Sequence, residues 1–405
     1  MRLDDMKLLY VCTDFPYPPR HGGMVDMWNR IQALHRLGIR CDVVATVADA
    51  PSPQNRACVE SLVQNLILSH REPGTKGVLS LRPGHVATRT GLRRVKLPQA
   101  YDLVLLQTEF TSDILRNPTL RTDAVAVRVD NDEVAFHIQT ARAERSILLK
   151  AYFLLEAWRI RRHSAKILPQ VDKLWFVSHK EESQYRAEAR NRRRQEIDFL
   201  PAGIDLKLLD RPSLAGRRVL FVGNLWAQMN REALEWYLTS VHPLLQDVEG
   251  YKFVIAGSSR GKRCDWLQDL TDAQSNVLVH YDSEDLTPHY RASALFVNPM
   301  QRGAGVKLKT IEAALRGLPI VTTNVGAEGS GLQDKVHCLC ADSPASFADA
   351  IQLLLNDKDL AGRLGREAQA FITDHYDQEK ALRRLLPLDT VSSRPDQNCA
   401  ASSAL

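Results

Sequence analysis

LFVNPMQRGAGVKLKTIEAALRGLPIVTTN, residues 295–324, reads in immediate succession as a strand, a glycine-rich loop, a helix and a second strand. The runs LFVNP and PIVTTN are short, apolar and rich in β-formers, whereas VKLKTIEAALRG between them carries its apolar residues at helical spacing. Two strands joined through a helix lie parallel in one sheet, with the helix packed across it. The loop adds a chemical question. Gly303 and Gly305, Lys307 and Lys309, and a lone acid, Glu312, stand together on an otherwise apolar stretch.

The same alternation extends in both directions. RRVLFVGNL (217–225), KFVIAGSS (252–259), NVLVHYD (276–282) and HCLCAD (337–342) read as strands, separated by helical runs at 230–245, 284–293 and 344–357. An earlier series starts at KLLYVCTDF (7–15), followed by a helix with Met24, Met27, Ile31 and Leu34 on one face and Gly38 at its end. IRCDVVATV (39–47), DLVLLQT (102–108), AVAVRVD (124–130) and KLWFVS (173–178) continue that series as strands. The Pro/Gly break FLPAGIDL (199–206) separates the two, so the chain divides near Gly203 into two doubly wound α/β domains of similar size.

Length and composition agree with a folded two-domain protein. The chain has 405 residues, 44% of them hydrophobic and 25% charged, which excludes disordered and fibrous classes. A net charge of +5, without zinc-finger spacing or interleaved basic and aromatic residues, argues against nucleic acid as a partner. The seven cysteines include no C-x-x-C pair and are odd in number, so neither a metal cluster nor a disulfide framework is expected, and a reducing cytosol is the default. MRLDDMKLLYVCTDF has acids before a short apolar run, which fits neither a signal peptide nor a spanning helix. Ala135 to about Lys166 is long, helical and rich in arginine. Its apolar content favours helices packed on the sheet with a solvated basic face; the alternative is a stretch that rests on a membrane surface. RAEARNRRRQE (186–196) reads as a solvated charge run.

Ligands of open parallel sheets sit beyond the carboxyl ends of strands, so the loops there carry the chemistry. At Gly303 to Val306 the chain enters a helix whose N-terminal amides form an anion site, and Lys307 adds a full positive charge. Glu312, a turn on, suits paired sugar hydroxyls better than phosphate. The bland alternative is that both lysines are solvated and Glu312 pairs locally. A second glycine loop, NVGAEGSGL (324–332), opens on the same edge. In the first domain TDFPYPPRHGGM (13–24) lacks the G-x-G-x-x-G of a dinucleotide fold, but Gly22 and Gly23 permit close backbone approach at a helix start. Diphosphate followed by ribose answers the question posed by the loop.

DFPYPPRHGG, RVDNDE, FVGNLWAQMN, PAGID and above all GAGVKLKTIEAALRGLPIVTTNVGAEG together resemble the family 4 glycosyltransferases of the GT-B architecture, from Lys7 to about Leu386. The resemblance implies two Rossmann-like domains facing across a cleft: residues 1–202 for the acceptor and 203–370 for a nucleotide-sugar donor. A helix at 371–388 would cross back to the first domain, ahead of a disordered tail at 389–405. It implies retaining transfer from a nucleotide-diphosphate sugar to a glycan, lipid-linked or small-molecule acceptor, with no cofactor and no obligatory metal. By position, Lys307 neutralises the diphosphate, Glu312 binds ribose, and Gly22, Gly23, Gly223 and Asn224 complete the donor site. Such a protein is expected in the cytoplasm, with peripheral membrane contact left open.

Departures from the family pattern stand at four places. The first glutamate of the paired motif falls on Ala304, and Arg302 takes the loop's acidic position. Asp130 stands where relatives have a histidine, and Ala202 replaces a commoner asparagine; Asn230 occupies the place of the lysine in a KG pair. Lys307, Arg302 and Asp130 are the catalytic candidates: Lys307 for the leaving phosphate, Asp130 as a base or to orient the sugar. The missing glutamate favours a silent GT-B binding partner as the alternative, with a sugar-nucleotide epimerase as a third reading.

Overall fold

The computed structural model describes residues 5–386 except 20–21, 79, 131, 189–194, 207–213, 215, 273, 275, 284 and 304. The tail expected to be disordered and most of the arginine run at 186–196 lie outside the described residues.

Seven parallel strands form the first sheet: β1 (Lys7–Cys12), β2 (Arg40–Val47), β3 (Asn65–His70), β4 (Tyr101–Leu106), β5 (Thr122–Val129), β6 (Lys173–Phe176) and β7 (Glu196–Phe199). Their spatial order is β3-β2-β1-β4-β5-β6-β7. A second parallel sheet follows, with β8 (Arg218–Val222), β9 (Lys252–Gly257), β10 (Val277–Tyr281), β11 (Leu295–Asn298), β12 (Ile320–Thr322) and β13 (Leu339–Cys340) in the order β10-β9-β8-β11-β12-β13. Strand order reverses between β1 and β4 and again between β8 and β11, and each reversal opens a crevice at the carboxyl edge. The glycine loops at 13–24 and 303–306 leave β1 and β11 at these crevices, and the loop at 324–332 leaves the neighbouring β12. This is the GT-B architecture.

Alternation explains why the sheets are covered on both sides. In β1, Leu8, Tyr10 and Cys12 pack with Met27, Ile31 and Leu34 of α1 (Gly22–Arg36), while Leu9 and Val11 join Val104, Leu106 and Leu174 on the other face. Each such fully buried side chain contributes about 1.5–3 kcal/mol. β8 repeats the scheme, with Val219 and Phe221 on one face and Leu220 and Val222 on the other. β3 and β7 were not evident from the sequence. Both are sheet edges and half-exposed, so neither carries a strong apolar signature.

Four further helices matter for the site and its frame. They are α2 (Glu133–Ala143), α3 (Ile147–Ile167), α4 (Gln228–Trp236) and α5 (Leu308–Leu315). The chain then runs through α6 (Lys358–His375), whose Ala368 and Ile372 pack in the second domain. After a break at Tyr376 and Asp377 it returns to the first domain as α7 (Gln378–Leu385). There Leu382 and Leu385 enter the core beside α1, and the Arg384 guanidinium donates to the Phe199 carbonyl at 3.0 Å.

The arginine-rich helical region fits in part the reading that gave it a buried apolar face and a solvated basic one: Arg142, Arg145, Arg161 and Arg162 are exposed, and Ala157, Ile160 and Ile167 are buried. α2 and α3 do pack on each other, but Ile147, Leu148, Leu149, Leu154, Leu155 and Trp158 of α3 are exposed. The polar Glu156 and Arg159 face inward instead, because each finds a partner in the segment before β4. Among the described residues no helix is long and apolar enough to cross a membrane.

Candidate active site

α1 and α5 start at the two crevices and point their N-termini at each other. A Cβ placed on Gly22, the first residue of α1, would lie 3.0 Å from Leu308 Cδ1, the first residue of α5. The loop before α5 turns through Gly303 (φ 135°) and Gly305 (φ 78°), conformations that side chains rarely adopt. Asn298 at the end of β11 is buried and donates from Nδ2 to Thr310 Oγ1 at 2.8 Å and to the Gly326 carbonyl at 3.1 Å. One asparagine therefore fixes the first turn of α5 against the second glycine loop.

Lys307 is the residue just before α5 rather than part of its first turn, and it is buried instead of solvated. Its ammonium donates to the carbonyls of Gly303 at 3.3 Å and Gly305 at 2.6 Å, so the lysine braces the loop from inside. Burial lowers its pKa to about 8, with Glu328 and Glu181 opposing that shift. Both acids lie on elements that meet across the crevice. Lys180 of the first domain pairs with Glu328 just after the short helix Asn324–Ala327.

Lys309 is the site residue that the sequence reading undervalued. Its ammonium donates to Asn230 Oδ1 at 2.7 Å and lies 4.4 Å from the centre of the Phe221 ring. Asn230 Nδ2 in turn donates to the Asn224 carbonyl at 3.0 Å. The loop holding Gly223 and Asn224 is thus joined to α5 through a cation, at the place where the sequence lacks the expected lysine. Burial, and then repulsion from Lys307, lower the Lys309 pKa to about 7. A signal was present: Lys309 shares a helical face with Ala313, which is fully buried.

The remaining predicted residues are placed as follows. Glu312 lies one turn into α5 and pairs with Arg316 at 3.2 Å; burial raises its pKa although Arg316 opposes this. Arg302 is half-exposed and pairs with Glu232 of α4 at 2.6 Å, so a carboxylate reaches the loop from a neighbouring helix. Gly23 is exposed at the start of α1. Asp130 follows β5, where it pairs with Arg128 and accepts from Gln107 Nε2 at 3.1 Å. It belongs to a charged network rather than to a free turn. Two carboxyls that the sequence reading passed over lie close by. Glu133 opens α2, and burial together with the charges of Glu109 and Asp132 raises its pKa to about 7. Glu181 is raised to about 7 by burial as well, with a hydrogen bond from the Asp132 amide opposing and the charges of Asp132 and Glu328 adding to it.

The comparisons bear on what this crevice belongs to. The family model "Glycosyl transferases group 1" matches residues 216–357, a span that contains the lysine loop, α5 and both asparagines. An uncharacterised 44.6 kDa protein in the cps region of Klebsiella pneumoniae is 30% identical over 388 residues, covering 92% of this chain and 97% of that protein. The chain is a group 1 glycosyltransferase. A Mycobacterium tuberculosis glycogen synthase is 28% identical over 195 residues, 45% of each chain. Among solved structures, the sucrose-phosphate synthase of Thermosynechococcus elongatus matches this transferase with a TM-score of 0.68 at 16% identity, covering 94% of this chain and 99% of that one. Anabaena HepE in complex with UDP and glucose matches with 0.62 at 14% identity, covering 95% and 100%. These two share the transferase's GT-B fold.

The paired lysines give a measurable property. At pH 8 a part of the Lys307 and Lys309 population is neutral in the free transferase, given values of about 8 and about 7. A bound diphosphate favours the charged forms, so binding takes up protons between about pH 7 and 9. Titration calorimetry of a nucleoside diphosphate in buffers of different ionisation heat is expected to show uptake of about one proton; zero uptake would separate the lysines from the anion. For stability the sign is opposite to that of an ordinary surface lysine pair. The unfolded chain holds more protons at these positions, so their contribution to stability increases as pH rises from about 7 towards 10.

Proposed function

We propose that this glycosyltransferase moves a sugar, with retention, from a nucleotide-diphosphate donor held between α1 and α5 to a glycan or lipid-linked acceptor resting on the first domain. The observation that carries the reading is the meeting of two helix N-termini, 22 and 308, with a buried ammonium beside them. Departure of the nucleoside diphosphate builds negative charge on the leaving oxygen. Lys307 and the two sets of helix amides neutralise it, and Gly22 and Gly23 leave room for the phosphates. Charge neutralisation by these groups needs no metal. Glu312 accepts from the ribose hydroxyls, while Gly223 and Asn224 close the donor side. HepE, whose structure holds UDP and glucose, supports a uridine nucleotide as the first donor to try.

Acceptor chemistry falls to the first-domain wall. Asp130 orients the transferred sugar, and Arg302 brings Glu232 to the loop that lacks an acid at Ala304. The leaving phosphate itself removes the acceptor proton.

The test is a thermal-shift series with nucleoside diphosphates and their sugars, followed by transfer assays on the stabilising donor. Glu312→Ala is expected to weaken donor binding about 10- to 100-fold, since a carboxylate hydrogen-bonded to a ligand contributes about 1.5–3 kcal/mol. Wild-type donor affinity in that variant would remove Glu312 from the site.

A further inference from the structure

α3 buries Ala157, Ile160 and Ile167 but carries a second set of apolar side chains on the face turned away from the protein. Ile147 and Leu148 are 82% and 83% exposed, and Leu154, Leu155 and Trp158 continue the surface at helical spacing. Val78 and Leu81 are exposed beside them, in a segment that α3 holds through Arg159 to the Val78 carbonyl and the Gly84 amide to Glu156. Eight of the thirteen exposed large hydrophobic side chains among the described residues therefore gather on one helix and the segment bonded to it. Single exposed apolar residues are ordinary, but a contiguous group marks an interaction surface.

The charge around this group identifies the partner. Lys150, Arg161 and Arg162 are exposed on the same helix, and the Arg162 guanidinium sits 5.5 Å from the centre of the Trp158 ring. The helix has a single acid, Glu156, and it is turned inward. Apolar residues and tryptophan, bordered by cations and with no exposed acid, complement a surface that is apolar within and negatively charged at its boundary. A second copy docking on this face would set cations against cations. With five charged groups from Lys150 to Arg162, the helix is suited to lie on a bilayer rather than cross it.

We propose that the outward face of α3, with Val78 and Leu81, docks this transferase on an anionic lipid bilayer. α2 starts at Glu133 near the crevice and packs along α3. A docked bilayer then lies beside the first-domain wall, where an amphiphilic acceptor can reach the crevice without leaving the membrane. The docking does not depend on which donor is used.

Vesicle flotation tests it with phosphatidylcholine alone and with about 30% phosphatidylglycerol added. The wild type is expected to float with the anionic vesicles and much less with the neutral ones, and to be released in part at about 1 M salt. Leu148→Asp with Leu155→Asp, and separately Arg161→Glu with Arg162→Glu, are expected to weaken binding about tenfold or more. Circular dichroism melts identify any variant that fails to fold, and quenching of wild-type Trp158 by brominated lipid provides the readout in that case. Wild type left in the soluble fraction with anionic vesicles overturns the proposal. So does equal binding to neutral vesicles, or a dimer in sedimentation equilibrium that the leucine substitutions disperse.

Discussion

Lys307→Met is expected to lower glycosyl transfer about 100- to 1,000-fold, the range seen when one preorganised donor to a developing anion is removed. Methionine keeps the length and most of the volume of the lysine stem, so the buried channel that Lys307 occupies stays filled. What disappears is the ammonium and its bonds to the Gly303 and Gly305 carbonyls. Those carbonyls sit at the loop in front of α5, and losing their donor loosens the loop, which adds to the catalytic loss. Lys309→Met is expected to cost less, because its ammonium acts through Asn230 on the Asn224 loop. Steady-state transfer with the stabilising nucleotide sugar, measured beside a thermal melt, separates the two contributions. Wild-type turnover in folded Lys307→Met would show that the leaving phosphate is neutralised elsewhere.

The two lysines also show how far the sequence could be read. Periodicity placed nearly every central strand, because β1, β4, β8 and β11 are buried on both faces and their runs are continuously apolar. Edge strands β3 and β7 escaped, having one side without a neighbour and polar residues to match. The lysine loop could be singled out as a candidate site from its residue types and its position after a strand. That Lys307 is buried and Lys309 half-buried was not evident, since enclosing a cation depends on carbonyls and an asparagine contributed by other turns. Glu133 and Glu181 were missed for a similar reason: their carboxyls are raised by burial and by acids from separate elements, which no local pattern announces. α3 follows the same logic. Inward-facing Glu156 and Arg159 are satisfied by groups some 70 to 80 residues away, so hydropathy alone did not place this polar pair beside Ala157 and Ile160 in the interior.

Asp26→Ala is expected to destabilise the first domain by about 3–5 kcal/mol, the usual cost of removing one partner from a buried charge network. Asp26 lies in α1 and accepts from Arg30 at 2.7 Å, from Arg128 at 3.2 Å and from Gln107 at 2.9 Å. It also accepts from the amide of Gly203, in the linker between the domains. Without the carboxylate, two fully buried guanidiniums face each other with Asp130 alone on Arg128. Burial by itself would raise the Asp26 carboxyl; Arg128 and Arg30, helped by the Gly203 amide and Gln107, reverse that and hold it below the ordinary carboxylate value. Its contribution to stability is therefore present above about pH 4 and lost as pH falls through the lowered value. Asp26→Asn, which keeps the shape, is expected to lose that acid-dependent contribution as well as most of the stability. Gly203 admits no side chain, since an added Cβ would fall 2.7 Å from the Asp26 carbonyl oxygen, and Asn29 Nδ2 holds the Gly203 carbonyl at 3.1 Å. The helix whose N-terminus forms one wall of the crevice is thereby fastened to the linker that joins the two domains. Urea unfolding followed at several pH values measures the energy, and nucleotide affinity of the folded fraction measures the coupling. Unchanged stability in Asp26→Ala would mean that water replaces the carboxylate between Arg30 and Arg128.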